Sequence, residues 1–417
     1  MAAPSSDPAR ASIPLIAVDQ AIAQVLGAAP ALPDEHVAID DALHRVLAAD
    51  VLAAGDVPPF PCSAMDGYAL HAGPGGRRLA LVGESRAGTP SDRVLADGEA
   101  IRVSTGAAIP AGATAVIPQE DVDAEGDPSA PAIVTRRQSA TGAHVRGAGE
   151  DMRQGTVVLS AGRRLGPIEL GAAVAAGAGS LAVARRPRVA VLCTGDELRA
   201  PGEPLGPGEI HNSNAPMLTG LAAEAGALTS PAGRLSDDRD ATIEGIGAAI
   251  ERSDVVLMSG GVSVGPHDHV RPALAALGVR EVFWSVALQP GKPTWFGVAR
   301  DGTLVFGLPG NPVSAVVTYA LFAAPALAAM QGEPPPAPPR PTALLGVDRP
   351  RNPRREQALR VSLRDEPGGV TAVPTGAQGS HILSSLLDAD ALATIPIGEG
   401  VVAAGDEVAL RAFPGRC

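Results

Sequence analysis

Three glycine- and proline-rich loops crowd residues 259–315: SGGVSVGPHD at 259–268, LQPGKP at 288–293 and GLPGNPVSA at 307–315. Each follows or adjoins an apolar, β-branched run, so each falls where a strand should end. Such loops bring bare main-chain N–H groups close to an anion, because glycine reaches φ > 0 and puts no Cβ in the way. The middle loop holds Lys292, the only lysine in the chain, framed between prolines so that its ammonium has a preset position. The chemistry that suits this set is the handling of a phosphorylated or otherwise strongly negative molecule. In the first loop Gly260 and Gly261 offer amides, Ser259 and Ser263 hydroxyls, and Asp268 a carboxylate. A carboxylate beside a phosphate is repulsive unless a divalent cation such as Mg2+ lies between them. The third loop is uncharged, so Pro309, Gly310, Asn311 and Pro312 would act through shape and N–H donation at a helix start. A tight structural turn is the plainer reading of any one loop, and three together favour a site. No GxxxxGKS or GxxxxGKT pattern is present, which excludes a Walker-type NTPase.

Other acidic groups are less specific. CTGDEL places Asp196 and Glu197 just after a strand, and LSDDRD concentrates Asp237, Asp238 and Asp240. Either could bind metal, but DDRD before a helix is equally an N-cap. Asp66, in SAMDGYAL, reads on composition only as a turn residue. Cys62 reads as a small buried cysteine rather than a thiolate ligand. The histidines form no HxxxH or HExxH pattern, and His267 and His269 around Asp268 are weak grounds for zinc.

Composition sets the outer bounds. A net charge of −12 argues against general nucleic-acid binding, which needs a basic face, and 2% aromatic content leaves no stacking platform. A negative substrate must therefore be held locally, against an unfavourable mean field. Cys62, Cys193 and Cys417 form no CxxC pair, which fits a reduced cytosolic protein. The amino terminus is expected not to be a signal peptide. The apolar stretch 313–330 contains Ser314, Thr318, Tyr319 and Pro325 and reads as a buried helix rather than a membrane span.

The elements that must position these residues follow from periodicity. Residues 14–27 predict an amphipathic helix, and 40–49 a second short one. Residues 79–137 break into short strands split by turns, a small all-β unit. From Arg188 the pattern alternates strands with helices at 214–225 and 241–251, which predicts a parallel sheet covered on both faces with ligands beyond its carboxyl ends. EVFWSVAL at 281–288 reads as one of its strands. The proline-rich segment 331–341 marks a boundary, beyond which four strand runs predict a carboxy-terminal β-barrel or sandwich.

In their order along the chain, SAMDGYA, RVSTGAAIPAGATAVIPQED, VRGAGEDM, VAVLCTGDEL, GEIHNSN, SGGVSVGPHD, PGKP, GLPGNPVSA and GAQGSHILSS resemble the molybdopterin molybdenumtransferases, the MoeA and gephyrin E-domain family. The resemblance implies the last stage of molybdenum cofactor assembly. Adenylylated molybdopterin is cleaved at its pyrophosphate, AMP leaves, and molybdate enters the dithiolene with help from Mg2+. It implies an elongated cytoplasmic homodimer with its cleft between subunits, and contacts with the adenylyltransferase and with apo-molybdoenzymes. It implies four domains: a linking domain at 13–56 and 146–185, a small β domain at 57–145, a doubly wound, MogA-like α/β domain at 186–332, and a β-barrel-like domain at 340–417. No nucleic acid or membrane partner is expected.

Carried over by motif, Asp66, Asp237 and Asp268 would be the carboxylates near metal and phosphate, with Glu197 beside them and Asp237 and Asp268 on the metal. Lys292, Ser263, Arg360 and Ser380 would face molybdate, and Thr105, Arg146 and Asp151 would come from the β domain and its flank. The chain departs from the family pattern at Gln289, where relatives carry lysine, at Gly147 and Ala148, where they carry arginines, and at Asn212 and Cys62. Molybdopterin adenylylation is a second reading, since that step uses a domain of the same kind, and a non-enzymatic scaffold is a third.

Overall fold

Runs such as 188–194 and 255–259 carry apolar residues at almost every position, the mark of strands buried on both faces. The computed structural model describes residues 15–236, 238–261, 269–335 and 341–413. It divides into two compact units, one of Met1–Glu35, His44–Ala48 and Val183–Cys417, the other of His36–Leu43 and Ala49–Ala182.

In the first unit, Leu228–Thr229, Arg188–Thr194, Val255–Ser259, Leu304–Leu308, Trp295–Val298 and Arg280–Trp284 lie in that order in a seven-stranded sheet, and Gly233–Leu235 also pairs with Arg188–Thr194. The side-chain period of two sorts the strands between two cores. Val189, Val191, Val255, Leu257, Leu304 and Phe306 pack with Leu218 and Ala222 of the helix Asn214–Glu224 and with Val316 and Val317. Ala190, Leu192, Val256, Met258 and Val305 pack on the opposite face with Ile246 and Ala249, and with Ala273 and Leu274. The sheet is therefore doubly wound, as its sequence pattern implies.

Three expectations need correction. The sheet is mixed rather than parallel: Trp295–Val298 runs antiparallel to both Leu304–Leu308 and Arg280–Trp284. Only residues 299–303 join it to the next strand, too few for a crossover helix. The run 281–288 is not one strand, because Ser285 takes φ 73° and Val286 leaves the sheet to bridge Ile16. Residues 40–49 are not a helix beyond the 3-10 turn Ile39–Asp41. Leu47 instead bridges Val183, while Arg45 donates to the Ala184 carbonyl at 2.8 Å and pairs with Glu35. Tertiary pairing here overrides local helix preference.

Pro312–Met330 is long and apolar enough to cross a membrane, but 72% of its apolar window is buried inside the protein. It opens into a wider π turn at Tyr319–Ala323, just ahead of Pro325, which lacks the N–H of an ordinary turn.

The carboxy-terminal strands Glu356–Glu366, Gly369–Pro374, Thr342–Leu345, Glu407–Ala412 and Ala391–Ile395 pair in sequence around a ring, and the last returns to the first. This closed barrel, one of the two forms expected, encloses Leu345, Leu359, Val361, Ala393, Ile395 and Val408.

In the second unit six strands form the small β sheet, with Ala115–Pro118, Gly67–Leu70 and Glu99–Val103 as neighbours. Gly67 is required there. A Cβ on it would lie 2.1 Å from the Ile117 carbonyl oxygen.

Candidate active site

The parallel strands Arg188–Thr194, Val255–Ser259 and Leu304–Leu308 end side by side, with Ser259 in register with both Cys193 and Leu308. The first and third glycine loops therefore emerge together at the carboxyl edge of the sheet. The Gly260 amide donates to the Leu308 carbonyl at 3.1 Å. Gly260 and Gly261 take φ 91° and 66°, and a Cβ on Gly260 would meet the Thr194 hydroxyl at 2.8 Å. No side chain fits between these strand ends, which is why the sequence keeps glycines there.

Asn214 ties the loops together. It is 8% exposed at the start of its helix, and its amide donates to the Ser259 hydroxyl at 2.8 Å and to the Gly310 carbonyl at 2.7 Å. Ser259 in turn reaches the Pro309 carbonyl at 3.4 Å. The carbonyls of Pro309 and Gly310 are thus drawn inward, while the amides of exposed Gly310 and Asn311 donate to no group among the described residues. Sequence reasoning did not single out Asn214, although it lies in GEIHNSN.

The second loop joins through the helix that follows the third. Gly291, at φ 121°, faces Thr318, whose methyl would lie 2.6 Å from a Cβ placed there. The Thr294 hydroxyl donates to the Gly291 carbonyl at 2.7 Å, and the Lys292 carbonyl accepts from the Val286 amide at 2.9 Å. The backbone under Lys292 is pinned, and the residue itself is exposed. Pro312 begins the helix, whose Val313 amide donates to the Ser380 carbonyl at 3.2 Å, and Asn311 donates to the Ser380 hydroxyl at 3.0 Å.

Arg360 is fully buried. Its guanidinium donates to the Ala377, Gln378 and Gly379 carbonyls and to the Ser385 hydroxyl at 3.2–3.3 Å. Burial, with nearby Arg349, pushes its pKa down to about 10, so it stays charged at neutral pH. In this structure it holds the segment that carries Ser380. Glu197 folds back over Gly195, where a Cβ would meet its carboxylate at 2.4 Å. Asp238 caps the helix Arg239–Arg252 by accepting from the Ala241 amide, which settles the DDRD alternative for that residue in favour of a cap. Asp237, Ser263 and Asp268 lie outside the described residues.

In the second unit, Asp66 precedes the strand Gly67–Leu70 and Thr105 follows its antiparallel neighbour Glu99–Val103, so their ends meet. The Thr105 amide and hydroxyl both donate to Asp66 Oδ1, at 2.7 and 3.0 Å. These bonds hold the carboxyl below its usual pKa. Arg146 pairs with Cys62 a few residues before Asp66, and the Asp151 amide donates to the Val57 carbonyl. Both side chains are exposed. Cys62 and Cys193 are buried and unbridged.

Comparison with known proteins decides what these loops belong to. Residues 16–177 match the MoeA N-terminal region (domain I and II), 190–329 a probable molybdopterin binding domain, and 342–413 the MoeA C-terminal region (domain IV). The chain is 37% identical over 389 residues to molybdopterin molybdenumtransferase 2 of Mycobacterium tuberculosis, covering 89% of this chain and 93% of that protein. The chain belongs to the molybdopterin molybdenumtransferase family. It is 34% identical over 390 residues to the molybdopterin molybdenumtransferase of Bacillus subtilis, covering 92% and 90%. Among solved structures, the molybdopterin biosynthesis MoeA protein of Pyrococcus horikoshii superposes with a TM-score of 0.81 at 31% identity, covering 96% of this chain and all of that one. The glycine loops at the sheet edge all fall within the molybdopterin-binding match, and Arg360 and Ser380 fall within the carboxy-terminal one.

Proposed function

We propose that this member of the family is a molybdenum insertase. It cleaves adenylylated molybdopterin at the pyrophosphate, releases AMP and inserts molybdate into the dithiolene, with Mg2+ required. One observation carries the reading: in a chain of net charge −12, donor amides at Gly310 and Asn311 stand at the carboxyl edge of the sheet, and the pinned turn of Lys292 packs on the helix that follows them. A phosphoanhydride and an oxyanion need charge neutralisation and positioning more than a covalent nucleophile. The loop amides would hold the phosphates, Lys292 and the Ser380 hydroxyl the molybdate, and Arg360 would keep Ser380 in place. In the β unit, Asp66 with its two Thr105 hydrogen bonds, Arg146 and Asp151 are proposed as further substrate-binding residues.

Magnesium prefers carboxylate and phosphate oxygens. Among the described residues no group of three or more histidine, cysteine, aspartate or glutamate side chains could hold a metal ion. Asp237 and Asp268 are the residues proposed to bind it, where it would neutralise phosphate charge. A homodimer in the cytoplasm, in contact with the adenylyltransferase and with apo-molybdoenzymes, belongs to the same proposal.

The test supplies adenylylated molybdopterin, Mg2+ and molybdate and looks for AMP together with active cofactor. Product formed only from ATP and free molybdopterin would favour the adenylyltransferase reading instead, and no turnover at all would favour the scaffold.

A further inference from the structure

We infer that the arginine-rich loop around Arg349, Asn352, Arg354 and Arg355 is a second anion site, built beside the Lys292 turn to take a tetrahedral dianion. Arg349, Arg351, Arg354 and Arg355 stand within seven residues of a chain whose net charge is −12. None of the four pairs with a carboxylate among the described residues, and the adjacent acids are engaged elsewhere. Asp348 accepts from the Ala404 amide at 2.8 Å, and Glu356 lies 3.7 Å from Arg411. A cluster of like charges left without counter-charges repels itself, and a bound anion relieves that repulsion.

The loop is held against the second glycine loop. Asn352 donates from its amide to the Gln289 side-chain oxygen at 2.8 Å, while its own oxygen accepts from the Arg354 and Arg355 amides at 2.9 and 3.1 Å. Gln289 is in register with Gln357, whose side-chain oxygen accepts from Arg349 Nε at 3.4 Å. One asparagine therefore fixes both the turn that carries the arginines and the segment that leads to Lys292. The side-chain amide nitrogen of Gln289 has no partner among the described residues and adds a neutral donor. Arg351 plays a different part, since its stem packs over Gly398.

The inference rests on the insertase reading for its ligand, since both molybdate and the phosphate of the pterin substrate have this chemistry. Its test needs no turnover. Molybdate and inorganic phosphate are titrated by calorimetry at several salt concentrations into the full-length protein, into Arg349→Gln/Arg354→Gln/Arg355→Gln, and into a charge-matched control, Arg78→Gln/Arg93→Gln/Arg136→Gln. The first triple variant should bind about tenfold more weakly, with a shallower salt dependence, while the control stays near wild type. Arg354→Gln alone, at an exposed position, should move the same way by about threefold and guards against misfolding of the triple variant. A loss confined to molybdate identifies the metal oxyanion as the ligand, and a loss confined to phosphate identifies the substrate's phosphate. If the two triple variants titrate alike, the inference is wrong. A protein that shows the loss but releases no AMP would refute the insertase reading and leave this site standing.

Discussion

The side-chain amide of Asn214 donates to the Ser259 hydroxyl at 2.8 Å and, across to the third loop, to the Gly310 carbonyl at 2.7 Å. One buried residue at a helix start thereby sets the spacing of two glycine loops that come from different strands. Asn214→Ala should remove the donor that links Ser259 to Gly310 and cost ~1–3 kcal/mol, the scale of one lost buried hydrogen bond. A urea unfolding midpoint equal to wild type would contradict this arrangement. Asn214→Asp should be no better, because its carboxylate would face the Gly310 carbonyl.

Thr105 gives Asp66 two hydrogen bonds, one from its amide and one from its hydroxyl. Thr105→Ala keeps the first and deletes the second, so the Asp66 pKa should rise toward the ordinary carboxylate value while the strand ends stay paired. A carboxyl NMR titration reads this directly. Turnover should fall several-fold, and an Asp66 titration unchanged by the mutation would show that the hydroxyl bond is absent in solution.

Asp254 sits between Arg185 and Arg188 at 2.9 and 3.2 Å. Burial raises its pKa, but hydrogen bonds from both guanidinium groups and from the Arg188 amide outweigh that and hold it down to about 2. The folded value lies below the unfolded one, so the stabilisation is complete above the ordinary carboxylate pKa and is lost as pH falls from there toward 2. Asp254→Asn should cost about 2 kcal/mol at neutral pH and flatten the acid limb of the stability profile. Parallel acid limbs for the two proteins would count against it.

Asp268→Ala should abolish AMP release while leaving folding and assembly intact, and Lys292→Ala should raise the molybdate concentration needed for half-maximal turnover. An Asp268→Ala protein that still releases AMP removes that carboxylate from the mechanism. A molybdate titration of Lys292→Ala that overlays wild type removes the ammonium.

Much of this arrangement was legible locally. Gly260, Gly261 and Gly310 announce themselves by their neighbours, and the all-apolar runs before them identify buried strands whose carboxyl ends coincide. Lys292 is conspicuous because no other lysine competes with it. What was not legible depends on partners far away in sequence. Asn214 reads as an ordinary helix-start residue until Ser259 and Gly310 are placed beside it. For Arg360 the family resemblance implies a place facing molybdate, and only the structure shows that its guanidinium donates to the carbonyls before Ser380. The antiparallel strand Trp295–Val298 carries the same apolar pattern as its parallel neighbours, so periodicity alone cannot give its direction. The helix expected at residues 40–49 failed because Arg45 and Leu47 are claimed by residues near 184.

The most direct measurement is a crystal structure of the protein soaked with AMP, molybdate and Mg2+. The phosphate or oxyanion should lie within hydrogen-bond reach of the Gly310 and Asn311 amides, with molybdate near Lys292 and Ser380. Anions bound only away from the carboxyl edge of the seven-stranded sheet would contradict that placement.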